Sequence, residues 1–175
     1  MGPARSPGAG GTGGSESAVE VVRSSVIAAP REQVWARVVT AEGVSDEFRP
    51  LLAMRFPTSL EGASIADVPL GRPAGRAWIL LGGVIPLEYD DLVITELEPP
   101  RHFQERSSLG SCRVWDHRRE LEELPDGSTR VTDTLRAVPR ALVPRPVVRA
   151  VVGALFAHRH SRLARAFPRE CDAGV

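Results

Sequence analysis

Residues 111–121 read Ser-Cys-Arg-Val-Trp-Asp-His-Arg-Arg-Glu-Leu (SCRVWDHRREL), and their alternating polarity predicts a β-strand. One face of this strand carries Trp115 together with Arg113, His117 and Arg119. A guanidinium group on an apolar face needs a carboxylate partner, because an unpaired buried charge is costly. The pairing of this strand with the next one therefore decides how the face can be buried.

The turn Pro125–Gly127 sets the register of the hairpin that this strand forms with the segment after it. Pro-Asp-Gly is typical of a three-residue loop, a type I turn followed by Gly in the left-handed region. Counting back from the loop predicts four cross-strand pairs on one face: Leu121–Val131, Arg119–Asp133, His117–Leu135 and Trp115–Ala137. Two pairs of opposite charge then lie on the other, solvated face: Glu122–Arg130 and Asp116–Arg136. A loop one residue shorter or longer would separate Asp133 from Arg119, so the charges favour this register and make the Trp115 face the inner one.

The charged residues of the inner face allow two interpretations. In the first, Arg119, Asp133 and His117 satisfy one another and fix the strand register, as buried polar clusters usually do. In the second, they are the few convergent polar groups of an otherwise apolar cavity, where they orient a ligand's carboxylate, carbonyl or hydroxyl. Both interpretations place the three side chains on the buried face of a sheet.

The rest of the chain predicts a sheet wrapped around one long helix. Residues 19–29 are β-branched and alternating, and two short helices follow, from about Pro30 to Thr40 and from Val44 to Leu52. Residues 57–75 are rich in Pro, Gly and Ser and predict loops around short strand pieces. Five strands follow in meander order, and a long helix ends the pattern: 76–81, 87–98, 102–109, 112–124 and 129–138, then 145–167. The predicted fold class is α+β, a curved antiparallel sheet of about six to seven strands around the C-terminal helix, with two short helices after strand 1.

Composition limits the classes of function. The 175 residues favour one domain, and the 22 basic and 22 acidic residues cancel, so the basic surface typical of a nucleic-acid binder is missing. All the basic residues are Arg, which excludes Schiff-base chemistry on Lys. No apolar run approaches the roughly 20 residues of a membrane span, and no secretory signal is recognisable. We therefore expect a cytoplasmic protein with reduced thiols.

The ends of the chain and the remaining motifs indicate no cofactor and no metal. Residues 1–17 predict a disordered Gly/Ser/Pro-rich tail, residues 18–168 a single ligand-binding domain, and residues 169–175 a short tail carrying Cys171. Gly8–Gly13 fits G-x-G-x-x-G, but no strand precedes it as a dinucleotide site requires. His158 and His160 lie two residues apart on a helix, not the four of a two-His metal pair, and Cys112 falls on the outer phase of its strand.

Four segments resemble a known superfamily. They are SSVIAAPREQVWARV (24–38), GSCRVWDHRREL (110–121), GSTRVTDTLRAVP (127–139) and LFAHRHSRLARAF (155–167). The first is similar to the opening strand and helix of the SRPBCC superfamily of START-like, Bet v 1-like helix-grip proteins, which includes polyketide cyclases and lipid-transfer domains. The other three resemble strand and final-helix motifs of one bacterial branch. The chain departs from those motifs at three places, with Ser111–Cys112 for Pro-Phe, Arg119 for a second His and His158 for Tyr.

The resemblance implies a cavity between the sheet and the long helix that binds a small hydrophobic or amphipathic molecule, lipid or polyketide-like. One alternative is a polyketide aromatase/cyclase in which His117 is the acid/base group and Arg119 holds a carbonyl or enolate oxygen. Another is an interaction partner of a separate enzyme, with the cavity filled by its own side chains. Arg159 and His160 either cap the cavity or are solvated. The candidate ligand-binding residues are Trp78, Tyr89, Trp115, His117, Arg119, Asp133, Leu135, Val152, Phe156 and Arg159.

Overall fold

A computed structural model describes residues 18–60, 62 and 64–168 of the chain. The predicted tails, with the glycine-rich segment and Cys171, lie outside the described residues. The fold is α+β, as predicted. Its helices and strands follow in the order β1 (Val19–Ile27), α1 (Arg31–Val38), α2 (Ala41–Phe48), β2 (Leu52–Arg55), β3 (Pro73–Leu81), β4 (Ile85–Glu98), β5 (His102–Leu109), β6 (Cys112–Glu123), β7 (Thr129–Pro139) and α3 (Arg145–Ala166), with single 3₁₀ turns at Thr58–Leu60 and Ile65–Asp67.

The seven strands form one antiparallel sheet in the order β1-β7-β6-β5-β4-β3-β2. The sheet curls into a half-barrel around α3, which confirms the predicted helix-grip architecture. Register shifts in the β3–β4, β4–β5 and β6–β7 ladders mark bulges, and such bulges bend strands and increase their twist. The curvature lets a single sheet face α3 along most of the helix.

The β6–β7 hairpin has the predicted register. Leu124 and Ser128 close a three-residue loop, and Gly127 has the positive φ of 77° that the bulge position requires. All four predicted inner pairs are present: Leu121–Val131, Arg119–Asp133, His117–Leu135 and Trp115–Ala137. On the outer face Glu122 forms an ion pair with Arg130. Asp116 is opposite Arg136 as predicted, but its carboxylate instead accepts hydrogen bonds from Gln104 and Arg106 of β5.

A bulge at the start of β6 changes which residues face inward. The pairing shifts by one residue between Cys112 and Val114, so the two-residue alternation restarts there. Cys112 is therefore buried and Arg113 is exposed. The sequence interpretation was wrong for both residues, because it carried one uninterrupted alternation through the whole strand.

The second helix differs from its prediction in both bounds. Thr40 caps α2 by accepting a hydrogen bond from the backbone N–H of Gly43 at 3.0 Å, so the helix begins at Ala41 rather than Val44. It ends at Phe48, before Pro50, because proline has no N–H to continue the helix. Leu52, predicted as its last residue, is instead the first residue of β2.

The long helix α3 lies against the concave face of the sheet and buries one stripe of side chains. The stripe comprises Val148, Val152, Phe156, Arg159, His160 and Leu163. Around Leu163 the interior is filled by apolar side chains of β1, α1, β5, β6 and β7, among them Ile27, Val38 and Leu121. No helix of the described residues is long and apolar enough to cross a membrane.

Candidate functional site

A cavity of about 370 Å³ lies between the concave face of the sheet and the N-terminal two-thirds of α3. Its wall is mostly apolar, with side chains from α2, β2, β4, β5, β6 and α3. Leu87, Val147 and Val151 line the cavity and are also more than half exposed, so they mark its opening to solvent. The chain's own side chains do not fill this space, which was the condition for the interpretation without a ligand.

The structure divides the ten predicted ligand-binding residues into three groups. The first group lines the cavity: Trp115, His117, Val152, Phe156 and Arg159. The second is buried behind the cavity wall: Arg119, Asp133 and Leu135. The third, Trp78 and Tyr89, lies away from the cavity.

Trp78 and Tyr89 are neighbours on β3 and β4, and they point away from the concave face. Trp78 is 40% exposed and contacts the Tyr89 ring edge-on. The guanidinium of Arg76 lies 4.0 Å from the centre of the Tyr89 ring, a cation–π arrangement that occupies it at the surface. These two aromatic residues form an outer-face contact and take no part in the cavity wall.

Arg119 is fully buried, with its guanidinium group between two carboxylates. Its Nε and Nη2 donate to Asp133 at 2.8 and 2.7 Å, and its Nη1 and Nη2 donate to Glu47 at 2.8 and 3.1 Å. Each carboxylate accepts two hydrogen bonds from the guanidinium, and the planar Arg side chain is well suited to such bidentate pairs. Burial would lower the pKa of Arg119, but the two carboxylates outweigh it and raise the pKa, so the group stays charged.

Asp133 is the centre of the cluster and also accepts from two imidazole rings. His117 Nε2 and His160 Nε2 each lie 2.8 Å from its carboxylate oxygens. His160 Nδ1 lies 2.7 Å from the hydroxyl of Ser25, so a neutral ring can donate to Asp133 and accept from the serine. Burial would raise the pKa of Asp133, but Arg119 and His117 hold it well below its usual range.

Glu47 is the partner that sequence reasoning missed. It lies on α2, 1% exposed, and joins Arg119 of β6 to Arg159 of α3, whose Nε donates to it at 2.9 Å. Burial would raise the pKa of Glu47, but the two guanidinium groups outweigh it and lower the pKa. The carboxylate therefore ties α2 and α3 to the sheet by charge.

His117 connects the cluster to the cavity wall. Its Nε2 donates to Asp133, and its Nδ1 lies 3.7 Å from Glu105 of β5. Burial would lower the pKa of His117, but the two carboxylates outweigh it and raise the pKa. With a carboxylate facing each ring nitrogen, the geometry favours an imidazolium that donates to Asp133 and forms an ion pair with Glu105.

A pair of carboxyl groups, Asp90 and Glu105, lies in the cavity wall next to His117. Glu105 accepts from the hydroxyl of Ser107 at 2.8 Å, whereas Oδ1 of Asp90 is buried without a hydrogen-bond partner. Burial and the neighbouring carboxylate of Glu105 raise the pKa of Asp90 well above its usual value. Asp90 is therefore the member of the pair that holds a proton more readily, and a neutral carboxyl oxygen costs less to leave unpaired than a charged one.

The polar groups at this end of the cavity balance in charge. Arg119, Arg159 and protonated His117 are positive, and Glu47, Asp133 and Glu105 are negative. Among the described residues, no group of three or more His, Cys, Asp or Glu side chains is placed to hold a metal ion. Chemically, the arrangement offers a mostly apolar space whose wall includes a polar cluster in which the cations are paired with carboxylates.

Comparisons with known proteins identify the fold and the family. A family model described as "Domain of unknown function (DUF8410)" matches residues 25–167, and no curated protein matches the chain. Three solved structures are similar: a protein from Chromobacterium violaceum (13% identity, TM-score 0.67, 85% of this chain and 96% of that one), the Zhui aromatase/cyclase from Streptomyces sp. R1128 (16%, 0.65, 91% and 100%) and a START superfamily protein from Mycobacterium smegmatis (14%, 0.61, 85% and 96%). The chain therefore has the START-like, SRPBCC-type fold that its motifs resemble, and at these identities the likeness extends to the fold alone.

Proposed function

The chain belongs to the DUF8410 family, and we propose that it binds a small hydrophobic or amphipathic molecule in the cavity between the sheet and α3. In this proposal residues 18–168 are the ligand-binding domain, the cytoplasm is where it acts, and the ligand is lipid or polyketide-like. The opening at Leu87, Val147 and Val151 is the route of entry.

The observation that carries the proposal is the cavity itself. Its volume of about 370 Å³ lies within the roughly 300–1,000 Å³ that small-molecule sites occupy. Its wall combines many apolar side chains with a few polar groups, which is how such sites hold and orient a ligand. Packing normally removes such spaces from a protein interior, so an open apolar cavity of this size is typical of a ligand site.

Native mass spectrometry of the purified protein is the first test, with organic extraction of any molecule that the protein releases on denaturation. Titration with the neutral fluorescent probe N-phenyl-1-naphthylamine then measures binding directly. We expect one site per chain. A purified protein that carries no small molecule and takes up neither the probe, fatty acids, sterols nor aromatic polyketides would contradict the proposal.

Two matched tryptophan variants locate the site. Trp115 lines the cavity and packs against Phe156, whereas Trp78 lies on the outer face. We expect Trp115→Leu to weaken binding of the probe roughly 10-fold, because Leu keeps only part of the apolar contact of the indole ring and a loss of about 1.4 kcal/mol is a tenfold change. Trp78→Leu is expected to leave the affinity within about twofold. Equal effects of the two variants would place the bound probe elsewhere.

The aromatase/cyclase alternative is favoured by one observation, namely that His117 and Asp90, a buried carboxyl group of raised pKa, line the same cavity. In this alternative His117 is the acid/base group, and it acts as an acid because a carboxylate faces each of its ring nitrogens. Arg119 is enclosed by Glu47 and Asp133, so Arg159 takes the role of holding a carbonyl or enolate oxygen.

The His117→Gln variant distinguishes binding from catalysis. Cyclisation of a poly-β-ketone substrate is expected to fall roughly 10²–10⁴-fold if His117 is the acid/base group, while affinity for the probe is retained. Unchanged turnover in this variant would remove the mechanism. No turnover in the wild-type protein, together with tight binding, would favour the binding function.

A further inference from the structure

Arg159 is a buried cation whose hydrogen-bonding capacity is only partly used. It is 6% exposed and lines the cavity. Its Nε donates to Glu47 at 2.9 Å, and its Nη1 and Nη2 have no hydrogen-bond partner among the described residues. These two nitrogens are not among the fully enclosed unpaired atoms of the described chain, so they reach the cavity surface. A guanidinium with free N–H groups in an apolar cavity indicates a ligand that supplies an acceptor.

The position of the Arg159 side chain is fixed from three sides. Glu47 holds its Nε, and the rings of Phe48 and Phe156 lie 5.0 and 4.8 Å from the guanidinium carbon. These contacts restrain the side chain before a ligand arrives, which lowers the entropic cost of forming further hydrogen bonds. The free N–H groups are therefore a preorganised donor site.

The charges around Arg159 decide between a neutral and an anionic acceptor. Glu47 already compensates Arg159, and in the cluster each of the cations Arg119, Arg159 and His117 faces at least one of the carboxylates of Glu47, Asp133 and Glu105. An ionised carboxylate would add an unmatched negative charge to a mostly apolar space whose wall already holds the carboxyl groups of Glu88, Asp90 and Glu105. An uncompensated buried charge is costly, whereas a neutral oxygen acceptor leaves the balance unchanged.

Building on the proposed function, we propose that Arg159 anchors the polar end of the ligand and selects a neutral carbonyl oxygen, as in a ketone, ester or amide, over an ionised carboxylate. The ligand class is then an apolar molecule with a neutral carbonyl that reaches the Arg159 end of the cavity. Free fatty acids in their ionised form are disfavoured.

Three probes of similar length test this in the wild-type protein at pH 7: 2-undecanone, undecanoate and undecane, each measured by displacement of N-phenyl-1-naphthylamine. We expect 2-undecanone to bind at least roughly 10-fold more tightly than undecanoate. A tenfold difference in affinity corresponds to about 1.4 kcal/mol, and burying an unmatched charge costs at least that much. Equal or tighter binding of undecanoate would overturn the inference while leaving the proposed function standing. Failure of the fluorescent probe and all three compounds to bind would instead overturn the proposed function.

The Arg159→Met variant tests whether this residue is the donor. Met keeps an apolar stem but removes all N–H groups, and Glu47 retains its two hydrogen bonds from Arg119. We expect affinity for 2-undecanone to fall roughly 10- to 100-fold, the range for a hydrogen bond to a charged group, and affinity for undecane to change less than about twofold. An unchanged affinity for 2-undecanone would overturn the inference.

Arg162→Met is the matched control, because Arg162 lies on the same helix but donates to the backbone carbonyl of Asp46 and does not line the cavity. It is expected to leave all three affinities unchanged. If Arg159→Met does not fold, Arg159→Lys keeps the charge, but its single nitrogen, paired with Glu47, lies short of the two outer nitrogens of the guanidinium, so a loss of ketone affinity in that variant carries the same meaning.

Discussion

Arg119 and Arg159 bind the same buried carboxylate, Glu47, but they use their N–H groups differently. Arg119 is fully enclosed and directs all its nitrogens to two carboxylates. Arg159 gives one hydrogen bond to Glu47 and leaves its outer nitrogens at the cavity surface. Residue type and burial are therefore poor guides to function, whereas the number of unused donors separates a structural arginine from one available to a ligand.

The interior shows the same contrast on a larger scale. Around Leu121 and Val131, buried apolar side chains of α1, the sheet and α3 form one hydrophobic cluster. Around Leu92 and Leu109 the sheet and α3 face each other across the cavity. One end of the concave face is thus covered by packed apolar side chains, whereas the other end borders the cavity.

The largest expected change in the free energy of unfolding comes from replacing Arg119. Arg119→Met leaves Glu47 without its forked pair and Asp133 with only imidazole partners, so two carboxylates become poorly compensated in the interior. Breaking such a buried pair costs about 3–5 kcal/mol, and we expect the free energy of unfolding to fall by that amount. Chemical denaturation at pH 7 measures it.

Arg118→Met is the control on the opposite face of the same strand. Arg118 binds Glu96 and Glu120 at the surface, where ion pairs contribute about 0–1 kcal/mol. A loss below about 1 kcal/mol in both variants would contradict the structural role assigned to Arg119.

A second pair of variants compares the two ends of the interior. Leu121→Ala removes a side chain from the closely packed end, and we expect a loss of about 2–5 kcal/mol in the free energy of unfolding. Leu92→Ala removes a side chain from the cavity wall, where one side already lacks partner atoms, and its cost is expected to be smaller by about 1 kcal/mol or more.

Both leucines lie on strands and both are more than nine-tenths buried, so the comparison isolates packing from secondary structure. Equal losses in the two variants would mean that the cavity wall is packed as tightly as the core. Hydrogen exchange of β4 and β6 amides gives an independent measure of the same difference.

The fold could be predicted because its signals are local. The Pro125–Gly127 loop and the charge match of Arg119 with Asp133 fix the hairpin register, and the meander follows from strands separated by short turns. The errors arose where one residue changes a local pattern. A bulge turned Cys112 inward, and the Thr40 cap moved the start of α2.

The candidate site was less predictable because its partners are distant in sequence. Glu47 lies 72 positions from Arg119, and no periodicity in a short helix indicates which side chain will cross to the sheet. Trp78 had the residue type of a cavity wall but faces outward. Sequence reasoning could identify the inner face of β6, but the structure was needed to show which of its polar groups remain open.

The smallest effect that we predict is a pH dependence of the stability that His117 contributes. Its ring contacts the carboxylates of Asp133 and Glu105 and the edges of Phe103 and Phe156, and the carboxylates raise its pKa above the ordinary value of 6.5 despite burial. A raised histidine pKa stabilises the folded state fully below the unfolded value, and that stabilisation is lost as the pH rises through the folded value.

We therefore expect the difference in free energy of unfolding between wild type and His117→Gln to be largest near pH 6 and to shrink towards pH 9, measured by urea denaturation at each pH. The lowered pKa values of Glu47 and Asp133 act in the opposite sense, at acid pH below about 4.5, and lie outside this window. His158→Gln is the control, because His158 lies on α3 outside the cluster and its Nε2 hydrogen-bonds the backbone carbonyl of Arg49. A difference that stays constant from pH 6 to pH 9 would mean that His117 is neutral when folded, and the buried cluster would then carry a net negative charge rather than the balance that favours a neutral ligand.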